Sequence, residues 1–391
     1  MEPQGKVLSD LVARSHLVPG RDLAELVSEA GRRMGLGSTA VYVADLQQAT
    51  LVALPQAPAA EDRTLGIDGS LAGLAYRVEG TQRSADGGTV WVPMIAGVNR
   101  LGVLKASGRG FDEELIGWCE ALAGVAALLL DSMSTHSDVL VEVERRRTMT
   151  VQAELLWAFL PPRTIGTEQV TSSAFLEPAY DIGGDAFDHS LIDRALHLTL
   201  LDSMGHDLAS GAASAAGLAA CRATRRSGGS LEDIVPMIDK ILSQWFADRL
   251  MTAIVANLDT DDGTLSWVNC GHPAPLLIRE GRVLHGMLER EADLPLGWGF
   301  HTSAPPTVHH VRLQPGDRIL MYSDGFTEAR SPAGDLFGEE RLADTVIRAA
   351  SAGDPAPEAL RRLVQTLLQH QHNQLRDDAT ILLTDWHPRT R

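Results

Sequence analysis

The chain has 391 residues, 44% of them apolar, enough to build a core in each of two or three domains. With 34 Lys and Arg against 51 Asp and Glu, its formal charge is −17, which argues against nucleic acid as a partner, since binding it needs a basic face to displace counterions. Cys119, Cys221 and Cys270 lie far apart without CxxC spacing, so neither a disulfide framework nor a structural zinc site is expected, and a reducing compartment fits.

The start, MEPQGKVLSDL, has no basic segment followed by an apolar core, so no secretory signal is expected. The most apolar run, Ala121 to Leu130, is ten residues long, against the roughly 20 that a spanning helix needs. A soluble cytoplasmic protein, without a membrane partner, is the expectation. Residues 21–35 place Leu23, Leu26, Val27 and Met34 near one helical face and stop at glycine. TAVYVAD (39–45) and TVWVPMIA (89–96) read as strands, and the second reaches LGVLKAS (101–107) through GVNR as in an antiparallel hairpin. Residues 111–133 read as a long closing helix. Helix, strands, polar insertion, hairpin and final helix resemble a GAF sensory domain in order and length, over 1–134; a PAS domain shows much the same pattern. Such a domain either takes an unidentified small-molecule signal or only dimerises. No chromophore cysteine or histidine cluster stands out, and Cys119 falls among apolar residues as a core side chain.

Residues 137–163 are charged and free of glycine up to Pro161-Pro162, where a helix must stop. They predict a connecting helix within a linker spanning 135–163. Val139, Val143, Val151, Leu155 and Phe159 recur at intervals of four or eight, but Arg145–Arg147 interrupts the stripe. A dimeric coiled coil, and so a homodimer, and a solvated helix packing on one neighbour both satisfy this pattern.

From 164 to 391 the pattern changes. Strands are expected at 170–178, 195–202, 251–259, 263–271, 308–313, 317–324 and 378–386, with helical blocks at 207–225, 231–247, 339–350 and 357–371. Strands flanking paired helices argue for an α+β layered domain rather than an alternating parallel β/α fold.

The chemistry is carried by carboxylates at strand ends beside glycine. Asp185 lies in DIGGDAFD, Asp202 closes ALHLTLLD, Asp324 closes DRILMYSD and Asp377 opens DDATILL. A carboxylate there projects from a rigid sheet while the backbone turns away tightly, and four converging make a hard oxygen site suited to magnesium or manganese. Each alone reads as a plain turn; their joint occurrence carries the signal.

Taken in order, AELLWAFLPP (153–162), IGGDAFD, LLDSMGHDLAS (200–210), VNCGHPAPLLI (268–278), LPLG (294–297), LMYSDGFTEAR (320–330), LFGEERL (336–342) and DDATILL (377–383) resemble the metal-dependent protein phosphatases of the protein phosphatase 2C class, in their bacterial SpoIIE-like branch. The resemblance implies an α-β-β-α sandwich with two divalent cations, manganese or magnesium, held by Asp185, Asp202, Asp324, Asp377 and the carbonyl of Ser203, with Asp202 bridging. Asp188 and Asp378 match residues behind these ligands. It implies a metal-activated hydroxide attacking a phosphoserine or phosphothreonine, with no phosphoenzyme. The substrate it implies is a phosphorylated anti-sigma-factor antagonist, under control of the GAF-like domain.

His206 is a candidate acid for the leaving alkoxide, because histidine titrates near working pH. Asp207 stands where the family carries glycine, which restricts the backbone there. His272 in CGHPAP reads as a turn residue, and His309-His310 and His370/His372 lack ligand geometry. No Gly-x-Ser-x-Gly elbow and no GxxxxGK[ST] loop occurs, and the strand-rich context opposes an HD-type phosphohydrolase. The alternative is a sensory or scaffolding protein whose phosphatase-like domain binds its partner without turnover.

Overall fold

The computed structural model describes residues 3–55, 63–372, 375 and 377–388; part of the polar insertion, 56–62, lies outside them. The chain divides into two compact units, Met1–Thr148 and Met149–Arg391.

The first unit runs α1 (Gln4–Ser15), α2 (Leu23–Arg33), β1 (Ser38–Ala44), β2 (Thr50–Ala53), β3 (Thr64–Gly66), α3 (Leu71–Val78), β4 (Gln82–Arg83), β5 (Thr89–Ala96), β6 (Asn99–Ser107), α4 (Glu113–Ser134) and α5 (Asp138–Glu144). Its antiparallel sheet has the order β3-β2-β1-β6-β5-β4. The hairpin expected from GVNR is β5–β6, and β1 pairs β6 from the other side. α4 is long and apolar enough to cross a membrane by length and composition alone. One face of it, carrying Cys119, Leu122, Ala123, Ala126, Ala127 and Leu130, is buried in the core of this unit.

The connecting helix expected over 137–163 is not continuous. α5 ends at Glu144, Arg145 is extended, and a new helix, α6 (Val151–Phe159), starts where the Thr150 hydroxyl accepts the Ala153 N–H. The Arg145–Arg147 run that interrupts the apolar stripe is where the helix breaks, and an N-cap restarts it. Leu140 of α5 belongs to the first core, and the Leu46 N–H donates to the Glu144 carbonyl. α6 belongs to the second unit, where Trp157 Nε1–H donates to the Ala179 carbonyl at 2.8 Å.

The second unit continues with β7 (Thr164–Gly166), β8 (Val170–Glu177), β9 (Asp185–Ile192), β10 (Ala195–Ser203), α7 (Leu208–Arg226), α8 (Leu231–Trp245), β11 (Met251–Asp259), β12 (Thr264–Cys270), β13 (Leu276–Arg279), β14 (Arg282–Val283), β15 (His309–Arg312), β16 (Arg318–Tyr322), α9 (Asp324–Thr327), α10 (Glu339–Ser351), α11 (Ala356–His370) and β17 (Ala379–Trp386). Two antiparallel sheets, β15-β12-β11-β10-β9 and β14-β13-β16-β17-β8-β7, face each other through β9, β8 and β17. α7 and α8 cover the first sheet; α11 covers the second and carries α10 against it. This is the α-β-β-α sandwich that the resemblance implies, and it agrees with the α+β layering expected from the strand and helix pattern. α8 buries Leu231, Ile234, Val235, Ile238 and Leu242, a stripe of helical period whose burial stabilises by about 1.5–3 kcal/mol per large side chain. On the other face, Leu360, Leu363, Val364 and Leu367 of α11 pack with Phe175, Ile381 and Leu383.

Candidate metal centre

β9 and β10 pair so that Asp185 stands directly opposite Asp202. Such cross-strand neighbours bring their Cβ atoms to roughly 4.5–5.5 Å. The turn before Asp185 is held by the carboxylate of Asp378, which accepts the N–H groups of Gly183 at 2.8 Å, Gly184 at 2.6 Å and Asp185 at 3.1 Å. A Cβ on Gly183 would collide with the backbone of His206, and one on Gly184 with the carbonyls of Ser203 and Gly205. The paired glycines thus allow the Asp185 turn to lie against the loop that follows Asp202.

Asp324 opens the short helix α9, immediately after Ser323, whose Oγ accepts the Thr380 N–H of β17 at 2.9 Å. Asp377 precedes Asp378 at the entrance to the same strand. Asp202, Ser203, His206, Asp324 and Asp377 line one cleft of roughly 530 Å³, together with Met204, Thr252 and Pro295. Asp185 is 1% exposed and is not among the residues that line the cleft; it stands opposite Asp202, which does. Among the described residues, no three His, Cys, Asp or Glu side chains close into a ready ligand cage.

The electrostatics are those of carboxylates crowded together and buried. Burial first, then Asp324, Asp377 and Asp378, push Asp202 up to about 7. Burial, then Asp202 and Asp378, hold Asp185 well above the usual carboxylate range. Burial, then Asp377 and Glu328, raise Asp324. The Oδ2 of Asp185 is buried and has no hydrogen-bond partner among the described residues, although an unmet buried acceptor costs about 1–3 kcal/mol. An all-oxygen, acidic donor set with an orphaned buried oxygen fits hard divalent cations such as magnesium or manganese.

His206 is exposed at the cleft. Asp207 has extended dihedrals, φ −104° and ψ 178°, that aspartate adopts freely, and its carboxylate accepts the Ser210 N–H as the N-cap of α7. The left-handed position is Gly205, with φ +100°. Glycine is therefore not needed at 207. Arg249, which the sequence reading did not single out, clamps this loop: Nη2 donates to Asp207 at 2.5 Å and Nη1 to the Met204 carbonyl at 3.1 Å.

Asp188 departs from expectation. Three positions from Asp185 along a strand it projects to the opposite face, where its buried carboxylate accepts from Arg222 at 2.7 Å and Arg225 at 2.8 Å of α7. Burial would raise its pKa, but these hydrogen bonds and charges outweigh that and hold it below the usual range. It anchors α7 to the sheet rather than supporting the acidic cluster. His272 is the expected turn residue with an added task. Its Nδ1 lies 2.7 Å from Thr252 Oγ1 of β11 and its Nε2 3.1 Å from the Tyr322 carbonyl of β16, so it ties the two sheets under the cleft. Burial lowers it to about 4, so it is neutral there. Of the remaining histidines, His310 lies 2.8 Å from Ser266 Oγ, and His370 lies 3.0 Å from both Arg341 and the Asp335 carbonyl.

A family model described as stage II sporulation protein E (SpoIIE) matches residues 192–387. Protein IcfG of Synechocystis sp. is 28% identical over 126 residues, 32% of this chain and 19% of that protein. The match thus spans about a fifth of the curated relative's length. Among solved structures, the RsbU and RsbW domains of Rv1364c from Mycobacterium tuberculosis are 24% identical, over 57% of this chain and 63% of that one, with a TM-score of 0.49. The PP2C phosphatase domain and regulatory-domain fragment of SpoIIE from Bacillus subtilis are 20% identical, over 57% and 64%, with a TM-score of 0.47.

Proposed function

The chain belongs to the SpoIIE family, with its PP2C-type phosphatase domain, and from that premise we propose that it is a metal-dependent phosphatase acting on phosphoserine or phosphothreonine in a protein. One observation carries the reading. Asp202, Asp324 and Asp377 line a single cleft, with Asp185 paired opposite Asp202, and Asp202 is driven up to about 7 by burial and by Asp324, Asp377 and Asp378.

Asp185, Asp202, Asp324, Asp377 and the Ser203 carbonyl would hold two divalent cations, manganese or magnesium. When bound, such ions supply charge for the phosphoryl oxygens and an activated water. The chain's own residues do the rest. Asp378 fixes the Asp185 turn through three backbone N–H groups, which holds the backbone of one ligand in place. His206, at the cleft mouth, gives a proton to the leaving serine or threonine oxygen. The Arg249 clamp on Asp207 and Met204 keeps the His206 loop in place.

On the family resemblance we assign as substrate a phosphorylated anti-sigma-factor antagonist, met in the cytoplasm. The first unit is GAF-like in the order of its elements and acts as the regulatory input, taking a small-molecule signal.

The test is hydrolysis of a chromogenic phosphate ester by the purified chain with manganese, beside Asp202→Ala and Asp324→Ala. Metal-dependent turnover lost in both variants is the expected result. No turnover with either metal, on the ester and on a phosphoserine protein, would turn the reading to a binding scaffold.

A further inference from the structure

Between β14 and β15 the chain makes an excursion whose middle, residues 293–302, is held on three sides. Leu296 exchanges both backbone hydrogen bonds with Met251 of β11, at 2.9 and 3.0 Å, and the Asp293 N–H donates to the Asn269 carbonyl at 2.8 Å. Asp239 of α8 is fully buried, and its carboxylate accepts the N–H groups of Gly297 at 2.7 Å, Gly299 at 3.0 Å and His301 at 2.9 Å. Buried His301 closes the loop on itself through the Leu294 carbonyl, 2.8 Å from its Nε2. Gly297 has φ +114°, and a Cβ there would collide with the Arg249 carbonyl. A buried carboxylate without hydrogen bonds is costly; here its three bonds all go to one loop, which is thereby rigid.

What this scaffold holds outward is apolar. Leu294, Trp298 and Phe300 are 52%, 51% and 49% exposed, and the Trp298 and Phe300 rings meet edge to face at 5.7 Å. Pro295, beside Leu294, lines the acidic cleft, and Met204 in the same lining is 54% exposed. Rigid aromatic side chains at low entropic cost are what protein interfaces use as anchors. Through Pro295 the loop that carries these side chains reaches the cleft, so a chain with its phosphorylated side chain bound there has this loop as a neighbour. The net charge of −17 gives a phosphoprotein no overall long-range attraction, so apolar contact at short range adds affinity beyond the phosphate itself.

We propose that Leu294, Trp298 and Phe300 form the docking platform for the phosphoprotein substrate and select apolar side chains flanking its phosphorylated residue. The inference rests on the phosphatase reading. Its test uses the full chain with manganese and a positional library of short phosphoserine peptides in which each flanking position in turn is leucine or aspartate. Wild-type protein should cleave the leucine peptide about tenfold faster at one or more positions. In Trp298→Ala and in Phe300→Ala, each checked by thermal melting, that ratio should fall toward one relative to the rate on p-nitrophenyl phosphate. A ratio near one in the wild type, or one that persists in both variants, would overturn the platform. So would a change of oligomeric state in the variants with the ratio unchanged, which would make the surface a contact between copies. Failure of the wild type to cleave p-nitrophenyl phosphate would overturn the phosphatase reading itself, and the platform with it.

Discussion

Asp202 is a carboxyl that burial and three neighbouring aspartates push up to about 7 from an ordinary value of 3.8. Its folded pKa lies above its unfolded one, so the folded chain holds the extra proton between those values. The sign follows: that contribution to stability is full at low pH and is lost as pH rises through about 7. In EDTA, the melting temperature should therefore fall between pH 5 and pH 8, by an amount on the order of 1–3 kcal/mol in stability. Manganese should restore it at pH 8, and Asp202→Asn should flatten the pH dependence. Differential scanning calorimetry at the two pH values reads all three; a metal-free melting temperature that rises with pH would refute the crowding. Asp188 makes the contrasting case. Its loss leaves Arg222 and Arg225 facing a buried, unpaired position, and breaking such a pair costs roughly 3–5 kcal/mol. Asp188→Ala should melt early yet bind manganese with unchanged affinity by titration, because its carboxylate faces α7.

At the scale of elements, legibility followed how far each residue's partner lies along the chain. β10, β11, β17, α7 and α8 were readable to within a residue or two at most ends, because long apolar runs and helical periods state their own burial. β9 was not. Its residues Asp185 to His189 are all buried, with no alternation to reveal a strand. Asp188 and His189 are satisfied by Arg222 and Ser172, remote in sequence. Asp185, Asp202, Asp324 and Asp377 stand out as motifs, whereas Thr252, Arg249 and the Asp239 scaffold acquire meaning only through contacts across the fold. Glycines divide the same way. Gly184→Ala would drive a methyl into two backbone carbonyls that cannot rotate away, so it should destabilise by about 1–3 kcal/mol and abolish ester hydrolysis. Gly124 lies within α4, and a Cβ there meets nothing within 4 Å. Gly124→Ala should raise stability by about 0.4–1 kcal/mol. Urea melts of the two variants should move in opposite directions.

For the molecule as a whole, the break after α5 decides where the second unit begins. Sequence pattern alone starts it at 164, after the proline pair, yet α6 is part of its packing. Thr150 N–H donates to the Tyr180 carbonyl at 3.0 Å, Trp157 to Ala179, and Ala153 and Leu156 are buried. α6 packs on α7, the helix whose N-cap is Asp207, one residue beyond His206. Removing α6 would thus loosen the element that carries the His206 loop, without touching any metal-site carboxylate. A chain of residues 149–391 should fold cooperatively and retain manganese-dependent ester hydrolysis, while 164–391 should melt several degrees lower and lose most of its kcat. Circular dichroism melts and initial rates on the two truncations separate the cases. Equal stability and rate would mean that α6 is a passive connector.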